Sequence, residues 1–297
     1  MAKRKKRPSI KPTRGVTRRA EKRRRLATKA TGGVPASVSA RRRRSFRLQF
    51  DMLPQPDDTT CGPTCLHAVY RYYGLEMDLG TVVAETGALE EGGTFAVLLG
   101  SHALRNGFRA VIYTFNIQVF DPTWFQRPKV DLRAKLIAQK AIKTDPKLRL
   151  ACDAYLEFLE LGGEVRFRDL TTALIRKHLR NRIPILTGLS ATYLYQTARE
   201  APPDFRSDDV GGLPAGHFVV LCGYDAAKRK VLVADPLHPN PLASRHQYSM
   251  DINRVLCSIL LGVVTYDANL LILEPDGATE AESESGGRSG GAPARDE

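Results

Sequence analysis

The sequence predicts an α+β fold, in which helices and an antiparallel sheet occupy separate halves of the molecule. Apolar residues recur at helical spacing through most of the first half of the folded body, beginning at Cys61. In the second half, short apolar runs are separated by turn residues, which is typical of antiparallel strands. Because helices precede strands instead of alternating with them, the pattern favours α+β over a parallel α/β sheet.

Each predicted element follows from a local apolar pattern and from the residues that end it. Gly74 is the expected C-terminal cap of the first helix, and Thr94 and Asp169 are the expected N-caps of two later helices. The predicted helices cover residues 61–73, a short stretch from 78, 94–105, 131–161 with a break at Pro146, 169–180 and 251–261. The predicted strands cover residues 108–115, 183–189, 217–224, 230–234 and 269–273, and the third and fourth of these form a hairpin.

The chain of 297 residues carries a net charge of +13, and this charge is concentrated at one end. Residues 1–47 contain 6 Lys and 13 Arg against the single acid Glu21. We therefore expect a disordered basic arm over 1–47, a folded domain over 48–275 and a disordered acidic tail over 276–297. Arginine-rich runs neutralise phosphates, so the arm is expected either to contact a polyanion nonspecifically (nucleic acid or an acidic surface) or simply to aid solubility.

Composition excludes several classes of protein. No uninterrupted apolar run, 259–264 included, approaches the ~18 residues that a membrane helix needs, so no transmembrane segment is expected. Five cysteines in a chain of this length do not resemble the dense framework of a secreted disulfide-rich domain. No apolar signal-peptide core follows Met1. The sequence thus predicts a cytoplasmic protein with reduced thiols.

Cys61 is the first candidate catalytic residue. It begins the predicted first helix, where unpaired N–H groups and the helix dipole favour a thiolate. Gly62 is expected to leave room for a substrate beside the sulfur. The Cys61 N–H and the side-chain amide of Gln55, six residues earlier, are expected to converge as an oxyanion hole. The other four cysteines are expected to pack in the core, namely Cys65, Cys152, Cys222 and Cys257.

His217 and Asp235 complete the predicted site. His217 begins one strand of the hairpin, so its ring is expected to reach towards the helix start and to accept and return the thiol proton. Asp235 follows the paired strand, where it can accept from the imidazole and fix its tautomer. Singly, these residues have ordinary explanations as a buried cysteine, a structural histidine and an Asp-Pro turn. Together they fit one Cys-His-Asp geometry.

A family resemblance emerges from the segments that carry these residues. Three segments carry them: Gln55–Cys65, Gly216–Val220 and Val233–Pro236. In this order along the chain, the segments resemble the C39-type cysteine peptidases of the papain-like superfamily. The resemblance covers roughly 50–115 and 216–275. It implies a papain-like fold with a helical half that carries the Cys and a sheet half that carries the His and Asp. Residues of about 116–200 are then a mostly helical insertion.

The resemblance also implies a function and a set of site residues. The family's Gln, Cys, His and Asp correspond to Gln55, Cys61, His217 and Asp235, and no metal or organic cofactor is needed. Members of the family trim leader peptides, often after a Gly-Gly pair, and are usually fused to a transmembrane exporter. No exporter is expected in this chain, and cleavage after a Gly-Gly pair is therefore not expected either. A stand-alone peptidase or amidase that acts on a peptide or protein is therefore expected. Two alternatives stay open: a thiol acyltransferase or transpeptidase with the same site, and an inactive peptide-binding scaffold that the arm tethers to polyanions.

Overall fold

The computed structural model describes residues 45–277, apart from 88, 90, 91, 127–129 and 203. Most of the predicted basic arm (1–47) and of the predicted acidic tail (276–297) lies outside the described residues, so their predicted disorder and the polyanion contact stay predictions. Among the described residues, no helix is both long and apolar enough to cross a bilayer.

Helices and strands are interleaved along the described chain. The helices are α1 (Cys61–Tyr72), α2 (Leu79–Thr86), α3 (Ala96–Arg105), α4 (Leu132–Ile142), α5 (Pro146–Glu160), α6 (Thr172–Arg180), α7 (Ala191–Tyr195) and α8 (Ile252–Leu261), with short 3-10 helices at Pro122–Phe125 and Gly262–Thr265. The strands are β1 (Phe46–Arg47), β2 (Phe108–Thr114), β3 (Glu164–Phe167), β4 (Ile185–Ser190), β5 (Glu200–Ala201), β6 (Arg206–Ser207), β7 (Gly216–Asp225), β8 (Lys230–Ala234), β9 (Gln247–Asp251) and β10 (Asn269–Pro275).

Eight of the described strands form one sheet in the order β3-β2-β10-β4-β7-β8-β9, with β1 paired to the far end of β7. Strands β2 and β3 run parallel, and the other neighbours in this part of the chain run antiparallel. Helices α1 and α6 pack against β7, and α3 packs against β2. The predicted α+β class is confirmed, with the Cys on a helix of the N-terminal half, the His on an antiparallel strand and the Asp directly after the next strand.

The predicted hairpin forms between β7 and β8. Its turn is stabilised by the Asp225 carboxylate, which accepts hydrogen bonds from the N–H groups of Ala227 and Lys228 at 2.9 and 3.0 Å. Strand β9, which the sequence analysis did not predict, extends the hairpin by pairing with β8. Its five residues alternate between polar and apolar, but the stretch is short and runs directly into the helix predicted from residue 251, so it was not recognised as a strand.

The stretch of 116–200 that was predicted as an insertion contains α4 to α7, and it also contains β4. Strand β4 lies between β10 and β7, and Leu189 pairs directly with His217. The C-terminal end of this stretch therefore belongs to the centre of the sheet. At the other boundary, Phe46 and Arg47, which the sequence analysis assigned to the basic arm, form β1.

Two predicted helix caps are wrong by one or two residues. The N-cap of α3 is Phe95 instead of Thr94, and the N-cap of α6 is Thr171 instead of Asp169. Thr171 has an extended backbone, and its hydroxyl accepts a hydrogen bond from the Leu174 N–H at 3.2 Å. A cap requires this backbone conformation directly before the first turn, and a pattern with several polar residues in succession does not specify which of them adopts it.

Thr171→Ala is therefore expected to lower the free energy of unfolding by about 1 kcal/mol, because the Leu174 N–H loses the Thr171 hydroxyl and keeps only the Thr171 carbonyl as acceptor. Asp169→Ala is the matched control, since this exposed residue does not cap the helix. Urea denaturation of the two variants measures the difference. Equal destabilisation of both variants would contradict the assignment of the cap.

Candidate active site

Cys61 is the first residue of α1, at the positive end of the helix dipole. The N-cap residue, Thr60, makes no side-chain cap hydrogen bond, and within the described residues the Cys61 N–H donates to no acceptor. The turn before the helix is instead stabilised by Asp57, whose carboxylate accepts from the N–H and hydroxyl of Thr59, both at 2.8 Å. Those bonds lower the pKa of Asp57. The helix start thus keeps free N–H groups beside the sulfur.

The segment that leads into α1 is hydrogen-bonded along the β7–β8 hairpin. The Leu48 N–H donates to the carbonyl of Cys222 at 2.8 Å, and the Gln55 N–H donates to the carbonyl of Pro236 at 3.0 Å. Strand β1 pairs with β7 just before this segment. These contacts determine where Cys61 lies relative to the sheet.

His217 and Asp235 meet because of the register of the hairpin. Val220 pairs with Ala234, so Asp235 follows opposite Val219, and the side chains of residues 217 and 235 are diagonal neighbours on one face. The Nε2 atom of His217 lies 2.9 Å from Oδ1 of Asp235. The structure therefore brings the predicted pair together, and the Cys61 thiol lies beside the imidazole, near enough to raise its pKa.

Sequence reasoning missed two residues of this site, Tyr195 and Tyr248. Both phenol groups donate to Oδ2 of Asp235, at 2.8 and 2.7 Å. The Leu237 N–H donates to Oδ1 at 3.0 Å. Tyr195 ends α7, and Tyr248 lies on the unpredicted strand β9. The sequence contains no motif that connects either residue with Asp235, because all three come from different elements.

Burial and charge act in opposite directions on the pKa values of the His217–Asp235 pair. Removal from water favours the neutral imidazole, but the charge of Asp235 and the nearby Cys61 thiol raise the pKa of His217. Burial likewise favours a protonated Asp235, but the charge of His217 and the hydrogen bonds to the carboxylate lower its pKa. Both shifts favour an imidazolium that faces a carboxylate.

Gln55 lies close to the site, but its amide already has a local partner. Its Nε2 atom donates to the Asp57 carbonyl at 2.8 Å, which leaves one amide hydrogen for a further acceptor. Its Oε1 atom is buried and has no partner among the described residues. The role of Gln55 as an oxyanion donor therefore stays a prediction.

The expectation that Gly62 leaves room for a substrate is wrong. A Cβ atom at this position would lie 2.6 Å from Cγ2 of Thr94 and 3.3 Å from both Leu99 and Phe218. The missing side chain thus allows α1 to pack against α3 and β7. Access to the sulfur must come from another direction.

A second buried carboxylate, Asp267, lies near His217. It accepts a hydrogen bond from the Thr265 hydroxyl at 2.7 Å, and burial raises its pKa to about 7. The carboxylate occupies the space above two glycines of neighbouring strands. A Cβ at Gly188 would lie 2.7 Å from the Asp267 Cβ, and one at Gly216 would clash with its Oδ2. The Gly residue before His217 is therefore required by packing.

The remaining cysteines differ from Cys61 in their surroundings. Cys65 donates to the Phe218 carbonyl at 3.3 Å, and burial raises its pKa well above the usual value. Cys152 and Cys222 are also buried, as expected. Cys257 was expected in the core but is exposed, because it lies on the outer face of the amphipathic helix α8. Within the described residues, no cluster of three or more His, Cys, Asp or Glu side chains could hold a metal ion.

We expect the His217 imidazole to remain protonated well above its ordinary pKa of about 6.5. NMR titration of the histidine side chains measures this, and Asp235→Asn should shift the His217 titration to lower pH because it removes the neighbouring charge. Because the pKa of His217 is raised in the folded protein, the pair stabilises the fold fully below about pH 6.5, provided that the pH is high enough for Asp235 to be ionised. This stabilisation is lost as the pH rises through the raised pKa of His217.

His178 is the internal control for this titration. Burial lowers its pKa to about 4, and it has no contact with Asp235, so it should remain neutral in both proteins. A His217 that titrates at its ordinary value and does not respond to Asp235→Asn would contradict the ion pair.

Comparisons with known proteins bear on this site. Residues 151–255 match the model of the Peptidase_C39 like family. The matched region contains His217 and Asp235, whereas Gln55 and Cys61 lie before it. Among curated proteins, none matches this sequence.

Two solved structures are similar to this chain. One is a double glycine motif protease from an AMS/PCAT transporter in complex with the leader peptide, with 14% identity, a TM-score of 0.38 and coverage of 77% of this chain and 94% of that chain. The other is the peptidase domain of Streptococcus ComA, a bi-functional ABC transporter involved in quorum sensing, with 14% identity, a TM-score of 0.37 and coverage of 77% and 100%. The family match confirms the predicted resemblance: over residues 151–255 this chain is similar to the C39-like peptidases, and a cysteine peptidase is the class of protein that this match supports.

Proposed function

We propose that this protein is a cysteine hydrolase that cleaves a peptide or amide bond in a peptide or protein substrate. Cys61 is the nucleophile, His217 is the general acid and base, and Asp235 orients His217. Gln55 and the Cys61 N–H bind the oxyanion. The observation that carries the proposal is the buried His217–Asp235 hydrogen bond of 2.9 Å beside a thiol at a helix N-terminus.

The arrangement of the three side chains supports this assignment of roles. Asp235 uses one ring nitrogen of His217, Nε2, so the other ring nitrogen is available to the Cys61 thiol. Proton transfer from the thiol to the ring creates a thiolate and an imidazolium. The helix dipole stabilises the thiolate, and Asp235 stabilises the imidazolium. A structural histidine in a core would not need both a charged acceptor and a thiol.

The reaction proceeds in two acyl-transfer steps. In the first step, the Cys61 thiolate attacks the carbonyl carbon, the His217 imidazolium gives its proton to the leaving amine, and a thioester forms. In the second step, His217 takes a proton from water, the hydroxide adds to the thioester, and the carboxylic acid leaves as the thiolate is restored. In each tetrahedral intermediate the negative oxygen accepts from the Cys61 N–H and from the free amide hydrogen of Gln55.

The low exposure of the site favours an extended peptide segment as substrate. Cys61 is 8% exposed and His217 is 6% exposed. A carbonyl must therefore reach the sulfur through a small opening, which an extended chain or a chain terminus can enter more readily than a folded surface. The cytoplasmic location predicted from the sequence stays a prediction.

Iodoacetamide labelling of the native protein near pH 6, followed by mass mapping, is expected to modify Cys61 first. An ordinary thiol is mostly protonated at this pH, whereas a thiolate paired with His217 is not, so the rate should exceed that of an ordinary thiol by roughly 100-fold. His217→Ala should remove this advantage because the thiolate loses its cationic partner.

Cys257 is the matched control for the labelling, because it is exposed and has no histidine partner in the described structure. Faster labelling of the poorly exposed Cys61 than of the exposed Cys257 shows activation, since accessibility alone predicts the opposite order. If Cys61 reacts no faster than Cys257, the hydrolase proposal is wrong and the peptide-binding scaffold becomes the better explanation.

Hydrolysis and acyl transfer are separated by the fate of the acyl group. We expect peptides cleaved from a library in ¹⁸O-labelled water to gain one labelled oxygen at the new carboxyl terminus, and Cys61→Ala to abolish the cleavage. Added primary amine should leave the product unchanged. Amide products that depend on the added amine would instead identify an acyltransferase with the same site.

A further inference from the structure

We propose that Tyr195 and Tyr248 are positioning residues, which hold Asp235 in the ionised state and in the orientation that the His217–Cys61 pair requires. This inference rests on the proposed function, because it concerns the same site. Both phenol hydroxyls bond to Asp235 and neither bonds to His217 or Cys61, so the hydroxyls act through Asp235.

The four hydrogen bonds to Asp235 are divided between its two oxygens. Oδ2 accepts from both phenols, at 2.8 and 2.7 Å. Oδ1 accepts from His217 at 2.9 Å and from the Leu237 N–H at 3.0 Å. A rotated carboxylate would misalign all four donors at once, so the oxygen that faces His217 is determined by the other three bonds.

The two phenols reach Asp235 from different parts of the fold. Tyr195 ends α7, which directly follows the central strand β4. Tyr248 lies on β9 and pairs with Val233 of β8. The Asp235 backbone is also bound, since its N–H donates to the His246 carbonyl at 2.8 Å. Because the supports come from separate elements, no single loop movement can displace the carboxylate.

Phenols suit this role because they are neutral donors. Burial and the charge of Asp235 raise the pKa of each tyrosine, so both remain donors throughout the physiological range. A lysine or arginine at the same place would also bind the carboxylate, but its positive charge would compete with the imidazolium of His217. Neutral donors stabilise Asp235 and leave its full charge to act on His217.

Tyr→Phe substitutions remove the hydroxyl and keep the ring. This matters most for Tyr195, whose ring also lies against the His217 ring, with 6.0 Å between the centroids. Loss of either phenol should release the Oδ2 side of Asp235, so that Oδ1 is no longer held towards Nε2 of His217 and its hydrogen bond to the imidazolium weakens. The thiolate–imidazolium pair then forms less readily, and the reactivity of Cys61 at acid pH falls.

The test measures the rate of Cys61 alkylation by iodoacetamide between pH 5 and 9 in the full chain. Tyr195→Phe and Tyr248→Phe are each expected to lower the rate at pH 6 by roughly tenfold, which is typical for loss of a hydrogen bond to a charged group. The reactivity profile should also move to higher pH, and the double variant should show the larger shift. A residue with a merely structural role would change stability without moving this profile.

Tyr73→Phe is the matched control, because the Tyr73 hydroxyl donates to the Leu273 carbonyl at 2.9 Å in another part of the molecule. It should leave the profile of Cys61 unchanged. Should Tyr248→Phe fail to fold, Tyr195→Phe alone decides the question.

The outcomes distinguish this inference from the proposed function. An unreactive Cys61 in the wild-type protein would reject the proposed function, and the positioning role with it. A reactive wild-type Cys61 whose pH profile survives in Tyr195→Phe would overturn the positioning role alone.

Discussion

The candidate site depends on one buried ion pair, between His217 and Asp235. Asp235 is 0% exposed, and a carboxylate in that position is unstable unless opposite charge and hydrogen bonds replace the lost water. Nearly every feature around it provides this compensation: the imidazole and a backbone N–H on one oxygen, and two phenols on the other. The same compensation gives the imidazole its proton. The groups that stabilise the buried Asp235 carboxylate are thus the same groups that would activate the thiol.

Backbone contacts position Cys61, the proposed nucleophile, beside this pair. The hairpin binds the chain before α1 through β1, the Leu48 N–H and the Gln55 N–H, and this segment ends where Cys61 begins the helix. At Gly62, the helix is close enough to α3 and β7 that any side chain would clash. Backbone hydrogen bonds and close packing therefore determine the distance between the thiol and the ring, and flexible side chains have little part in it. Such rigidity is what preorganised acyl-transfer chemistry requires.

The predictions of several helices and strands are confirmed because their sequence signals are local. The helix at Cys61, the hairpin from His217 to Asp235 and the strand at 269–273 each show an apolar period that ends at turn residues, and the structure contains them all. The wrong predictions concern the helix caps and the burial of one cysteine, which the local pattern does not specify. Thr171 caps α6 in place of Asp169, since neighbouring polar residues compete and only the backbone conformation selects one. Cys257 is exposed because a wide apolar pattern on α8 does not show where its buried face ends.

The fold class, most of the longer helices and strands and the residue types of the proposed site were predictable from the sequence alone, because period and spacing are properties of neighbouring residues. The groups that surround Asp235 became visible only in the folded chain. Tyr195 and Tyr248 come from elements 40 and 13 residues away from it in sequence. The direct pairing of β4 with β7 and the pairing of β9 with β8 bring them there. Long-range strand pairing leaves no trace in the spacing of a single sequence, so it had to be seen in the fold.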